Sequence, residues 1–293
     1  METKNIAGIA RAAVLTSLSI STYTGRKMDK QTAEEVAAAK SAGSKRAVST
    51  YKSLFADSAE LQEINSQANY IRQLHYRLTL AWDDAGNRLL PTANLMAYQS
   101  DMGSAITAFD DSVQRFLNRY DTLVSVAAFK LGDLFDRTEY PTRTELARKF
   151  GVSVSYAPLP TSGDFRLDIE TEVMDELAAK YKADADKRVE QAMNEAWSRL
   201  HETLTHMSHK LREPEEGEKK SRLHSTLIEN ALDVCSLLTG LNIAGDPALE
   251  KARQQLEKAL AGVDIDSLRE SDEVKASTKK RVDSILEAFN WEV

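Results

Sequence analysis

The residues best suited to chemistry in this chain fall in one stretch, His201-Glu202-Thr203-Leu204-Thr205-His206, with His209 just beyond it. A zinc-protease helix needs two histidines four residues apart so that both imidazoles share a face. Here the spacing is five, which turns the second ring about 140° from the first, and that chemistry is excluded. Glu202, His206 and His209 do fall within about 60° of one another on a helix. Two imidazoles and a carboxylate are a zinc or nickel set if a fourth ligand comes from elsewhere. The same three lie opposite Trp197, Leu204 and Leu211, where an ordinary solvated helix face also places polar side chains, and no metal site is expected. No phosphate-cradling Gly-rich loop, Gly-x-Ser-x-Gly elbow or dinucleotide fingerprint occurs. The carboxylate pairs Asp83/Asp84, Asp110/Asp111 and Asp264/Asp266 lack an obvious basic or histidine partner for catalysis. The expectation is a protein without catalytic residues or cofactor.

Two other patterns bear on nucleic acid. Thr144 to Ser153 reads like the first helix and turn of a helix-turn-helix, but Val154 to Pro160 alternates and holds two prolines. A strand fits there, and the second helix that would enter a major groove cannot form. The most basic stretch runs from Arg26 to Lys52, with Lys27, Lys30, Lys40, Lys45 and Arg46 between them. Arg26, Lys27, Lys45, Arg46 and Lys52, together with Trp82, are the candidate interaction residues. A solvated helix face explains such charge density equally well.

The bulk properties set the frame. A 42% hydrophobic, 28% charged chain with only 12 Gly and 6 Pro among 293 residues is a folded, mostly helical protein. Its net charge of −7 opposes nonspecific binding along a nucleic-acid backbone, though not through a local patch. The single cysteine, Cys235, sits among leucines and is expected as a small buried residue. No run reaches the roughly 20 apolar residues of a membrane span. Ile6 to Ile20 faintly resembles a signal sequence, but Arg11 interrupts it, and a cytoplasmic protein is expected.

Helices must do the positioning. Met102, Ile106, Phe109, Val113, Phe116, Tyr120, Leu123 and Ala127 alternate steps of four and three, a heptad seam. Met193, Trp197, Leu200, Leu204, Met207 and Leu211 repeat the rhythm. The first helix is expected from Pro91 to near Phe135, about 40 residues and roughly 60 Å long; the second runs from Glu170 to Arg212. Asp57-Ser58-Ala59-Glu60 has capping-box spacing, with Asp57 as the cap. Hairpins are expected at Leu78–Leu90 and at about 151–169. The expected fold is mainly α: two long antiparallel coiled-coil-like helices with small β-hairpins and a C-terminal helical set. Its segments are an N-terminal α/β part (1–91), the long helical hairpin (92–213) and C-terminal helices (214–293). Heptad surface left uncovered along so long a helix implies a homo-oligomer.

Three stretches carry a resemblance: Leu18 to Lys27; His75 to Leu80, leading into Trp82 and Arg88-Leu89-Leu90-Pro91; and Tyr156 to Phe165 with its Pro-Leu-Pro-Thr-Ser-Gly-Asp-Phe loop. In that order they resemble a family of tailed-phage and prophage proteins often encoded near a MoxR-type AAA+ ATPase. The resemblance implies phage origin, action in the host bacterial cytoplasm and an accessory role beside such an ATPase. It carries over no active-site residue. A non-enzymatic interaction or assembly protein is the leading expectation; a DNA-binding accessory of phage replication or recombination is the alternative.

Overall fold

The computed structural model describes residues 9–44, 46–160, 171–213 and 222–291. Lys45, the second half of the expected 151–169 hairpin and the charged run after Glu213 lie outside them. The chain forms two compact units, and both are discontinuous in sequence, unlike the three successive segments expected. The first comprises Met1–Ser17, Tyr76–Tyr98 and Ser155–Val293; the second comprises Leu18–His75 and Gln99–Val154.

The elements, in chain order, are β1 (Ala13–Ser21), β2 (Arg26–Met28), α1 (Lys30–Ala39), β3 (Tyr51–Ser53), α2 (Ala59–Leu78), β4 (Leu80–Ala81), β5 (Arg88–Pro91) and α3 (Leu95–Leu131). There follow α4 (Arg143–Ala147), β6 (Gly151–Pro158), α5 (Thr171–Leu211), α6 (Thr226–Leu241), α7 (Pro247–Leu260), α8 (Ile265–Glu270) and α9 (Asp272–Ala288). The protein is mostly helical with a small antiparallel sheet, as its composition implies. None of the helices among the described residues is long and apolar enough to cross a membrane.

In the first unit the expected hairpin forms between β4 and β5, with Leu80 opposite Leu89, and β5 also pairs antiparallel with β1, Leu15 opposite Leu89. The strand order is β4-β5-β1-β6. Leu15, Leu80 and Leu89 share the core with the α5 seam: Leu200, Leu204, Met207 and Leu211 are all but inaccessible. That seam is covered by α6, α7 and α9, through Cys235, Leu238, Leu256, Val282 and Ile285. Asp246 caps α7 with Pro247 in its first turn, accepting from the Ala248 and Leu249 amides. Cys235 is buried as expected, and burial pushes its thiol up to about 11, so it stays protonated and inert.

In the second unit the α3 seam is covered by a different set. Phe109 and Phe116 are fully buried, and the Phe116 ring meets Phe55, Tyr120 and Phe150 edge-on. Leu61, Ile64, Ala68, Ile71 and Leu74 of α2 are also buried. Here the expectation of one zipper between the long helices is corrected. Heptad spacing says that a stripe is buried, not what buries it. Each seam is satisfied inside its own unit, by short helices in one case and by aromatic loop residues in the other. Among the described residues most of both seams is thus covered, while Ile106 and Leu123 of α3 stay half-buried.

Local corrections follow the same logic. The cap of α2 is Ser58, whose Oγ accepts from the Leu61 amide at 3.3 Å. Asp57 instead takes a left-handed backbone, φ +61°, one residue before it. Gly25, with φ +62°, turns β1 toward β2 and is packed so closely that a Cβ would sit 3.0 Å from Leu61. After α4, capped by Thr142 and Glu145, the chain enters β6 rather than a second helix, which closes the helix-turn-helix reading.

Candidate interaction surfaces

Glu202, His206 and His209, the trio weighed as metal ligands, are all exposed on α5. Among the described residues no group of three or more His, Cys, Asp or Glu side chains is close enough to hold an ion.

The cations of the basic stretch divide. Arg26, Lys27 and Lys52 come together on the β2–β3 ribbon, where Lys27 lies directly opposite Lys52. Lys52 is not available to a ligand. Its ammonium pairs with Glu139 at 2.7 Å and donates to the Leu134 carbonyl at 2.8 Å, with a side chain only 12% exposed. That pairing is what allows two like charges to face each other across a ladder. The other ribbon face carries Arg26, Met28, Tyr51 and Ser53, all exposed. Arg46 is exposed in the segment leading to β3, its amide held by the Ser44 hydroxyl at 3.2 Å. Trp82 was misplaced by the sequence reading. It is 4% exposed, in the core of the first unit, with the Arg188 guanidinium 5.7 Å above its ring. An indole beside a turn looks like an anchor in sequence; here it closes the end of the β4–β5 hairpin over α5.

The net charge is unevenly shared. The second unit holds 15 Lys and Arg against 14 Asp and Glu, whereas the first holds 23 against 31. The acidity that opposes polyanion binding thus belongs to the first unit.

Sequence reasoning missed a second surface, at the C-terminal half of α3. Phe129 is 91% exposed, although it stands on a helix whose seam is mostly buried. Val126, one turn earlier, and Leu134, just past the helix end, are also exposed. Beside them a cleft of about 260 Å³ is lined by Phe55, Leu123, Val126, Ala127 and Leu131, with Asp57, Glu60, Arg119 and Lys130 at its margins. Arg119 pairs with Glu60, and Lys130 reaches the Ala56 carbonyl at 3.3 Å and Asp57 at 3.5 Å. The readable signal was a phenylalanine outside the heptad positions.

The wall of this unit is held by two phenols. Tyr140 donates to the Leu54 carbonyl at 2.9 Å and Tyr120 to the Pro141 carbonyl at 2.5 Å. Burial, above all, pushes both hydroxyls up to about 12. Because the folded value lies above the ordinary 10.0, their contribution is complete below pH 10 and is lost as pH rises through about 12. Phenolate absorbance followed against circular dichroism should show these two tyrosines ionising together with unfolding. Ionisation near the ordinary value with the fold intact would refute that.

Buried charge in the first unit is structural. Glu195 accepts from the Ala81 amide at 2.5 Å, from Arg199 at 2.6 Å and from Arg88 at 2.8 Å. Arg199 also donates to the carbonyls of Tyr76, Arg77 and Thr79, tying off the last turn of α2. Lys279 is paired with Asp283 at 2.5 Å. No family model, curated protein or solved structure matches this chain.

Proposed function

We propose that this chain is a non-enzymatic interaction protein that assembles with copies of itself, phage-encoded and acting in the host cytoplasm as an accessory to an AAA+ ATPase. The observation that carries self-association is Phe129, a large aromatic side chain left 91% exposed beside Val126 and Leu134 while the core of its unit is closed. Contiguous exposed apolar side chains on a folded protein mark contact surfaces. The phage origin and the ATPase rest on the resemblance of Leu18 to Lys27, His75 to Pro91 and Tyr156 to Phe165. Light scattering of the full chain in the micromolar range should report more than one subunit, and a monomer throughout would reject the reading.

A second reading, DNA binding, is favoured by the outer ribbon face, where Arg26 lies beside Met28 and a 62% exposed Tyr51. A cation beside an exposed aromatic is one way single strands are held, by phosphate contact and base stacking. Gel shifts with single- and double-stranded DNA at two salt concentrations separate the readings: electrostatic binding weakens steeply as salt rises.

A further inference from the structure

We infer that the segment following α9, Phe289 to Trp291, is a strap that governs the first turn of α7. Trp291 sets the Trp197 ring, and the Trp197 indole sets the carboxylate that caps that helix. Phe289 has already left the helix, with φ −121° and ψ 149°. Beyond it the Trp291 indole N–H is spent on the Leu286 carbonyl at 2.7 Å, one of the carbonyls that a helix end leaves without an internal partner. The tie to α5 is made by rings.

Those rings meet one side of α5. Trp197 and His201 stand four residues apart and so are neighbours on the helix surface. The Trp291 ring lies 5.4 Å from Trp197, nearly perpendicular at 82°, and 5.0 Å from His201, tilted by 33°. Phe289 closes the group, 6.0 Å from Trp197 and 6.2 Å from Trp291. Edge-on packing of this kind fixes ring orientation as well as burying area. Trp197 keeps one orientation while the strap is seated.

That orientation aims the indole at the cap. Trp197 Nε1 donates to Asp246 Oδ2 at 3.0 Å, while Asp246 Oδ1 accepts from the Ala248 amide at 2.8 Å and the Leu249 amide at 3.4 Å. Asn242 holds the Asp246 backbone from both sides, at 2.7 and 2.8 Å. Rotation of the carboxylate is the freedom left, and the indole removes it. Leu249, whose amide is capped, is itself inaccessible in the core. Rings placed after α9 thus reach the start of α7 through one shared carboxylate. The two states they bias are a formed and a frayed first turn, the local opening that helix ends undergo in native proteins.

Amide hydrogen exchange of the full chain, followed by nuclear magnetic resonance, tests the relay with Trp291→Leu, Trp197→Phe and both together. Leucine at 291 keeps apolar bulk without the flat ring; phenylalanine at 197 keeps a ring and loses the donor. Each substitution is expected to speed exchange at Ala248 and Leu249 about tenfold, the size of a weakened cap. The two together should do no more than either alone, because both act through the same bond. Two amides serve as controls and should keep the wild-type rate: Val274, capped by the Ser271 hydroxyl at 3.2 Å, and Cys235 in the buried body of α6. Unchanged exchange at Ala248 and Leu249 in Trp291→Leu overturns the strap. Effects that add in the double variant overturn it too, since the rings would then be independent supports. Equal speeding at Cys235 and Val274 marks a general loss of stability and likewise overturns it.

Discussion

Phe116→Ala is expected to lower the stability of the second unit by about 3–5 kcal/mol, the usual range for a fully buried aromatic cut back to a methyl group. The ring is inaccessible to solvent and meets Phe55 at 5.5 Å, Phe150 at 5.9 Å and Tyr120 at 6.2 Å between centroids, all in edge-on geometry. Such pairs add about 0.5–1.5 kcal/mol beyond the area they bury. Phe55 in turn contacts Tyr140, so the void would open where the loop, α3 and the Tyr140 segment converge. Urea unfolding followed by far-ultraviolet circular dichroism measures the loss. Phe129→Ser, thirteen residues on along the same helix, should change stability by no more than about 0.5 kcal/mol. Equal losses from the two substitutions would mean that the assignment of one ring to the core and the other to the surface is wrong.

Glu195→Ala is the second large effect, expected to destabilise the first unit by about 3 kcal/mol, the lower end of the range for breaking a buried ion pair. The low end is appropriate because the three side chains are partly open, with Glu195 27%, Arg199 20% and Arg88 12% exposed. Without the carboxylate two guanidinium groups face each other, and the Ala81 amide loses its acceptor. Burial alone would raise the Glu195 carboxyl; the Ala81 amide and the two arginines outweigh it and hold it below its ordinary 4.5. A lowered folded value means the contribution is present above pH 4.5 and is lost as pH falls through that lowered value. Thermal unfolding at neutral and acidic pH tests this. The gap between wild type and Glu195→Ala should narrow in acid, and a loss below about 1 kcal/mol at neutral pH would show that water replaces the carboxylate without difficulty.

How much of this was legible follows from what each signal measures. Element boundaries were readable because caps are local. Asp246 and Ser271 each accept from amides within three residues of themselves. The seams on α3 and α5 were readable because a buried stripe needs periodic apolar residues whatever covers it. Their partners were not, since nothing along Phe109 and Phe116 distinguishes a facing helix from Phe55, Tyr140 and Phe150 arriving from loops. Lys52 illustrates the limit on site residues: its charge was visible, its commitment to Glu139, 87 positions away, was not. Trp82 failed for the same reason in the other direction, a candidate anchor that the fold uses as core. The Glu195–Arg199 pair was open to reading from its four-residue spacing, while Arg88 and the Ala81 amide join it only through the β4–β5 hairpin.

The interleaved make-up of the two units has a bearing on how the polypeptide reaches this state as it leaves the ribosome. Every residue of the second unit has been synthesised once Val154 is added, whereas the first unit still lacks α5 to α9. Its earliest-made strand residues, Ala13 to Ser17, therefore wait for helices encoded more than 150 codons downstream to cover Leu15. During translation the younger half of the message completes the older half's core, so the order of assembly is nested rather than sequential.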